Sequence, residues 1–135
     1  MNPTLPTYIL EFLEKNINPT FETWLIGSRA NNTASERSDW DLLIFGNREL
    51  LFELSNHSPI READIFVVTD GNRFKSPWAD ESGSLTKQGN LADWKWQKHD
   101  GYVASYIGVS KPDKWGVIRP VKLQAIRIER SQPDV

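Results

Sequence analysis

Cysteine is absent from this 135-residue chain, and long apolar runs are scarce. Without thiols, neither a disulfide framework nor a thiolate metal site can form. The longest apolar stretches, such as Leu42 to Phe45 after Asp41, are far too short to span a bilayer. Met1 to Leu13 lacks the basic start and apolar stretch of a secretion signal. A soluble cytoplasmic protein with no membrane partner is therefore expected. Repeats, low-complexity tracts and an obvious linker are missing as well. What is present suits one globular domain: 39% hydrophobic and 25% charged residues, on a chain long enough for a proper core.

Charge of one sign is also scarce overall, the net being −2, but the two halves differ. Met1 to Asp70 carries −6, and Gly71 to Val135 carries +4. Compositional drift would explain that split. So would a basic second half facing an anionic ligand whose metal is held by the acidic half.

Hydrophobic spacing predicts a helix over Tyr8 to Lys15, bounded by Pro6 and by Asn18-Pro19. Strands are predicted over Phe21 to Ile26, Asp41 to Phe45 and Ala63 to Thr69, with a helix at Arg48 to Ser55. From Phe74 to Asn90 the chain is rich in Ser, Gly, Lys and Pro, and loops are expected. Trp94 to Lys98 alternates aromatic with polar residues and reads as a strand. Tyr102 to Val109 and Val117 to Ile128 complete an antiparallel meander. The expectation is an α+β fold in a single domain, residues 1–72 forming its core and 73–135 a β-rich extension.

One stretch raises a chemical question. "LIGSRANNTASERSDWDLLIF" ends one apolar run at Gly27-Ser28 and opens the next with Asp39 and Asp41. Two like charges one residue apart repel, and burial makes each harder to ionise. A cation, hydrogen bonds or plain exposure must offset that cost. Residues two apart on a strand share a face, about 6.6 Å apart along it, so both carboxylates can aim at one point. Hard cations such as Mg²⁺ take oxygen ligands of this kind together with substrate phosphates. Two cations about 3.5–4 Å apart can hold the attacking and leaving oxygens of a phosphoryl transfer, which calls for roughly three carboxylates. Asp64, opening the third apolar run, is the natural third. Gly27-Ser28 ends a strand where a backbone can approach a phosphate closely. Singly, each of these is an ordinary turn, loop or surface pair; their order on three successive strands is what points to a metal–phosphate site.

Gly27-Ser28, ten residues, Asp39-Trp40-Asp41, and Asp64 in "ADIFVV" together resemble the nucleotidyltransferase superfamily that includes DNA polymerase beta. The chain looks most like the minimal nucleotidyltransferases, whose Gly-Ser-Arg-Ala opening matches Gly27-Ser28-Arg29-Ala30. The likeness covers about half the chain, Phe21 to Thr69. It implies a nucleotidyltransferase-like mixed sheet with N-terminal helices. It further implies that Gly27 and Ser28 meet nucleotide phosphate, and that Asp39, Asp41 and Asp64 hold two Mg²⁺ ions. Asp64 would also help activate an acceptor hydroxyl. The implied reaction moves an NMP from an NTP, with ATP the expected donor, and releases pyrophosphate. Antitoxin members that adenylylate a partner toxin are one subclass with this spacing. Two departures stand out. Asn31-Asn32 replaces the frequent Arg-Gly, and the β-rich second half leaves the acceptor (protein, RNA or small molecule) open.

Arg29 follows Gly27-Ser28 and could reach the triphosphate; a surface pair with Glu36 is its plainer explanation. Among the six tryptophans, Trp94 and Trp96 fit either core packing or a base-stacking platform flanked by Lys95 and Lys98. Arg119, Lys122, Arg127 and Arg130 could extend a basic face. Ser82 to Lys87 lacks the P-loop pattern and is expected to be a mobile loop. A non-catalytic nucleotide- or nucleic-acid-binding module with this fold is the alternative to an enzyme.

Overall fold

The computed structural model describes residues 5–78 and 88–130. Its framework is one mixed eight-stranded sheet with two helices, an α+β arrangement. The strands are β1 (Thr23–Ile26), β2 (Trp40–Phe45), β3 (Ala63–Val68), β4 (Arg73–Lys75), β5 (Gln88–Asn90), β6 (Gln97–Lys98), β7 (Val103–Val109) and β8 (Pro120–Ile128). Their spatial order is β5-β4-β3-β2-β1-β8-β7-β6. Only β2 and β3 pair in parallel; every other pairing is antiparallel. This central pair reads as near-continuous apolar sequence because both of its faces are covered.

Helices α1 (Thr7–Asn16) and α2 (Arg48–Ser55) cover one face. Ile9 and Leu13, four apart on α1, and Leu50 and Leu54 on α2 are buried against Leu25, Leu42, Ile44, Ile65 and Val67. Asn47 caps α2, its side-chain oxygen accepting from Leu50 N at 2.8 Å. The C-terminal end of α1 is capped from far along the chain. Arg130, its side chain 2% exposed, donates to the carbonyls of Leu13 (2.9 Å) and Ile17, and its Nε lies 3.3 Å from Glu14. Sequence reading set Arg130 on a basic face. It is instead a buried tie between helix and sheet, because a cation finds carbonyls with a lone pair to spare and a favourable dipole at a helix C-terminus.

Among the described residues no helix covers the other face. The short segment 91–96 folds over it, with Leu91 N donating to Asn72 O (2.8 Å) and Ile107 N to Trp94 O (2.7 Å). This segment is a compact turn with Lys95 at φ 55°, not the strand that the Trp94–Lys98 alternation predicted; only Gln97–Lys98 is extended. Trp94 and Trp96 nevertheless enter the core. Trp94 lies 4.7 Å from Phe74 and 5.5 Å from Tyr106, ring to ring, and Trp96 lies 5.4 Å from Trp24. Core packing, the plainer explanation, accounts for both rings. The loops expected from Phe74 to Asn90 include β4 and β5, which pair at the β3 edge. Ser82 to Lys87 lies outside the described residues. Among the described residues no helix is long and apolar enough to cross a membrane.

Replacing Arg130 with methionine keeps much of the apolar stem but removes the carbonyl cap. Bonds from charged groups contribute roughly 1.5–3 kcal/mol. Arg130→Met should therefore destabilise the protein by about 2 kcal/mol, read as a lower urea midpoint. An unchanged midpoint would show that the cap carries no stability.

Candidate active site

Three chain segments meet at one end of the central strands. In the parallel register Asp41 is the partner of Asp64, while in the antiparallel register Ile26, the last residue of β1, is the partner of Asp41. Alternation along β2 sets Asp41 on the face of Leu43 and Phe45. Along β3 it sets Asp64 with Phe66 and Val68. Both carboxylates thus stand on the aromatic face, on neighbouring strands about 4.8 Å apart. Trp40 goes the opposite way and packs beside the helix-side core. Asp39 lies just before β2 and is exposed.

Gly27 makes the corner possible. Its φ of 73° lies in the left-handed region, and a Cβ there would collide with Asp41 Oδ2. The Asp41 carboxylate therefore rests directly against the backbone where β1 ends. From Gly27 the chain makes a single 3₁₀ turn, Ser28–Ala30, closed by Ala30 N to Gly27 O at 3.1 Å. The Ser28 carbonyl accepts from both Asn31 N and Thr33 N at 3.2 Å.

Side chains that the motif did not single out hold this turn. Tyr106 Oη, on β7, accepts from Gly27 N at 2.8 Å. Asn31 donates from Nδ2 to Gly27 O (2.8 Å) and to Gln124 O (3.1 Å), and its Oδ1 accepts from Gln124 N (2.9 Å). Gln124 Nε2 donates in turn to Ala30 O at 2.8 Å. Asn31 thus behaves as one more strand residue pairing with β8. Its amide has an acceptor and a donor in the geometry of a peptide group, a role that Arg could not fill. Sequence offered a signal for Asn31, as a departure from the family pattern, but none for Tyr106, which lies 79 positions from its partner.

Arg29 is engaged locally. Its Nη2 donates to Ser38 O at 2.9 Å, and its guanidinium stacks 4.5 Å from the centre of the Trp40 ring. With Glu36 it shares a main-chain bond, at 3.5 Å to the carbonyl. In this arrangement Arg29 closes the loop between the turn and β2.

Burial is the main cause that lifts the Tyr106 hydroxyl above its ordinary pKa of 10.0, and the negative charge of Asp41 adds to it. The bonds from Gly27 and Asn31 act in the opposite direction. Tyr106 is therefore a neutral hydroxyl wedged between an amide and a carboxylate.

Asp41 and Asp64 offer hard oxygen donors, side by side, at a corner that only glycine leaves open. That donor chemistry fits a divalent cation such as Mg²⁺. Among the described residues no three acidic or histidine side chains are gathered closely enough to hold a metal ion. The register accordingly presents a pair of carboxylates with Asp39 standing nearby in sequence, not a finished three-carboxylate cage.

Compared with known proteins, the chain matches a family model described as a nucleotidyltransferase domain over residues 7–114. No curated protein and no solved structure matches it.

Tyr106→Phe removes the acceptor and leaves the Gly27 amide unpaired, at a cost of about 1 kcal/mol in urea unfolding. A raised folded-state pKa means stabilisation that is intact below pH 10 and lost as pH rises through the folded value. Wild type should therefore lose stability more steeply above pH 10 than the Phe variant. Parallel pH profiles would show that the hydroxyl is not held in its neutral form.

Proposed function

The chain belongs to the nucleotidyltransferase domain family, and we propose that it moves an NMP from ATP to an acceptor hydroxyl in a Mg²⁺-dependent reaction. The observation that carries this reading is the register of Asp41 against Asp64 beside the Gly27 corner. In the transfer, the acceptor oxygen bonds to the α-phosphorus and the bond from that phosphorus to the bridging oxygen breaks. Pyrophosphate leaves, and the hydroxyl proton passes to the Asp64 carboxylate. Displacement of this kind asks for positioning and charge neutralisation more than covalent help.

Asp41 and Asp64, together with Asp39, would hold the cations. When bound, Mg²⁺ supplies charge neutralisation at the phosphates and acidifies the acceptor hydroxyl. The protein's own groups do the positioning. Ser28 offers its hydroxyl and the amides of the turn to the nucleotide phosphates. With the amides of Gly27, Ala30, Asn31 and Thr33 already engaged, that task falls to Ser28 and Arg29. Arg29 would have to release Ser38 and Trp40 to reach a triphosphate, so its part in binding is coupled to opening of the loop. The acceptor is a hydroxyl of a protein, an RNA or a small molecule, and a partner toxin is one such protein. A non-catalytic nucleotide-binding module is favoured as the second reading by the engaged Arg29. It would bind ATP without ever releasing pyrophosphate.

Calorimetric titration of ATP with Mg²⁺ into wild type and into Asp41→Asn and Asp64→Asn tests the site. Binding to wild type should require Mg²⁺, and each variant should lose more than about tenfold in affinity, as weakened metal ligation does. Circular dichroism should show an unchanged fold. Equal affinity in wild type and Asp41→Asn would remove the site. Binding without pyrophosphate release under any acceptor would favour the second reading.

A further inference from the structure

The β7–β8 hairpin reaches past the rest of the sheet at the carboxylate end. Leu25 pairs with Ile126 and β1 stops one residue later, but β8 continues back through five residues, Gln124 to Pro120. At strand rise that overhang is roughly 17 Å. It is tied to the site loop by the Asn31–Gln124 bonds and by Lys111 Nζ, 3.5 Å from Thr33 O. The tip of this hairpin thus projects beside the turn that carries Ser28.

The tip is ordered by hydrogen bonds within itself. Asp113 Oδ1 accepts from Trp115 N (2.8 Å) and Val117 N (3.0 Å), and Ser110 and Arg119 exchange two further bonds at 2.8 and 3.0 Å. On this fixed turn Trp115 is 76% exposed, with the Lys114 ammonium 5.0 Å from the centre of its ring. Lys111, Lys114, Arg119 and Lys122 are exposed around it, against one acid, Asp113, which Arg119 partly offsets at 3.8 Å. The turn beneath this ring is already ordered, so stacking on it carries no cost of ordering the backbone.

We infer that this hairpin tip docks a single-stranded polynucleotide, whose bases stack on Trp115 and whose phosphates meet the surrounding lysines. An aromatic ring among several cations is the chemistry of sequence-tolerant single-strand binding. Protein interfaces, by contrast, are depleted of lysine. Val109, Val117 and Ile118, also exposed, give the sugar and base edges an apolar rest. Sequence alone suggested such a platform at Trp94 and Trp96; burial of those two rings moves it to Trp115. The inference rests on the transfer reading in one respect, that a strand held here offers its ribose or deoxyribose hydroxyl as acceptor.

The test is fluorescence anisotropy of labelled RNA and DNA oligonucleotides of about 12 nucleotides, within single-strand site sizes. It is run on the full chain in EDTA, so that no cation at Asp41 and Asp64 takes part. Binding of either strand is expected, with log affinity falling against log salt at a slope near −2.8 for about four phosphate contacts. Trp115→Ala should weaken binding at least about fivefold. The double variant Lys111→Glu, Lys114→Glu should weaken binding and flatten the slope by about 1.4. All three side chains are exposed, so circular dichroism should show intact folding. No binding of either strand, or binding indifferent to both variants, overturns the inference. So does equal displacement by polyglutamate, which would assign the tip to an acidic protein. Loss of the ATP site in the calorimetric titration would leave this result standing, and the reverse also holds.

Discussion

Parallel pairing of β2 with β3 in register forces Asp41 and Asp64 to stand side by side, and much of the molecule is arranged around that constraint. Two carboxylates about 5 Å apart at an effective dielectric near 20 repel by roughly 3 kcal/mol. A shift of register by one residue would relieve the repulsion, but it would also turn the apolar side chains of β3 to the wrong face. Ile65 and Val67 would lose the helix-side core. Hydrophobic burial of that size outweighs a few kcal/mol of repulsion, so packing holds the acids together. Glycine at position 27 then lets the Asp41 carboxylate approach the chain where no other residue would.

The two faces of the sheet are built differently, and the difference locates the site. Helices α1 and α2 cover β1–β3 with aliphatic side chains. The opposite face is closed by aromatic rings and the turn at 91–96. Asp41 and Asp64 belong to the second face, at the margin of the rings and not beneath a helix. The uneven charge of the chain takes a spatial form here. The acidic half supplies the centre of the sheet, β1 to β3, and the basic half supplies both edges, β4–β5 on one side and β6–β8 on the other. The two carboxylates are thus flanked by strands of the opposite sign.

What was legible in the sequence follows a physical rule: local periodicity speaks for local structure. The β2 and β3 runs and the α2 helix read almost to the residue, because each is set by its own pattern of burial. The placement of Gly27, Asp41 and Asp64 at one end of the central strands was legible too. Trp94 to Lys98 misled because alternation was read as a strand, whereas a positive-φ turn at Lys95 sends both rings into the core. Arg130 misled in the opposite way, a cation in a polar stretch that buries itself against the end of α1. Tyr106 and Gln124 were out of reach, and so was the pairing role of Asn31. Their importance comes from partners 79 and 93 positions away, and no window along the chain contains both members of either pair.

That long reach bears on how the site comes into being. β1 is four residues long, and its neighbours are β2, close in sequence, and β8, a hundred residues further on. Closing so large a loop is slow compared with forming the β2–α2–β3 unit, whose contacts are mostly local. The β2–α2–β3 unit can set Asp41 against Asp64 by itself. The Gly27 turn, however, gains Tyr106 and the Asn31–Gln124 pair only after β7 and β8 have docked. Charge placement is thus a property of the first half, and the shape of the Gly27 corner is a property of both. The second half is therefore part of the site itself: it fixes the turn from one side and carries the hairpin that overhangs it.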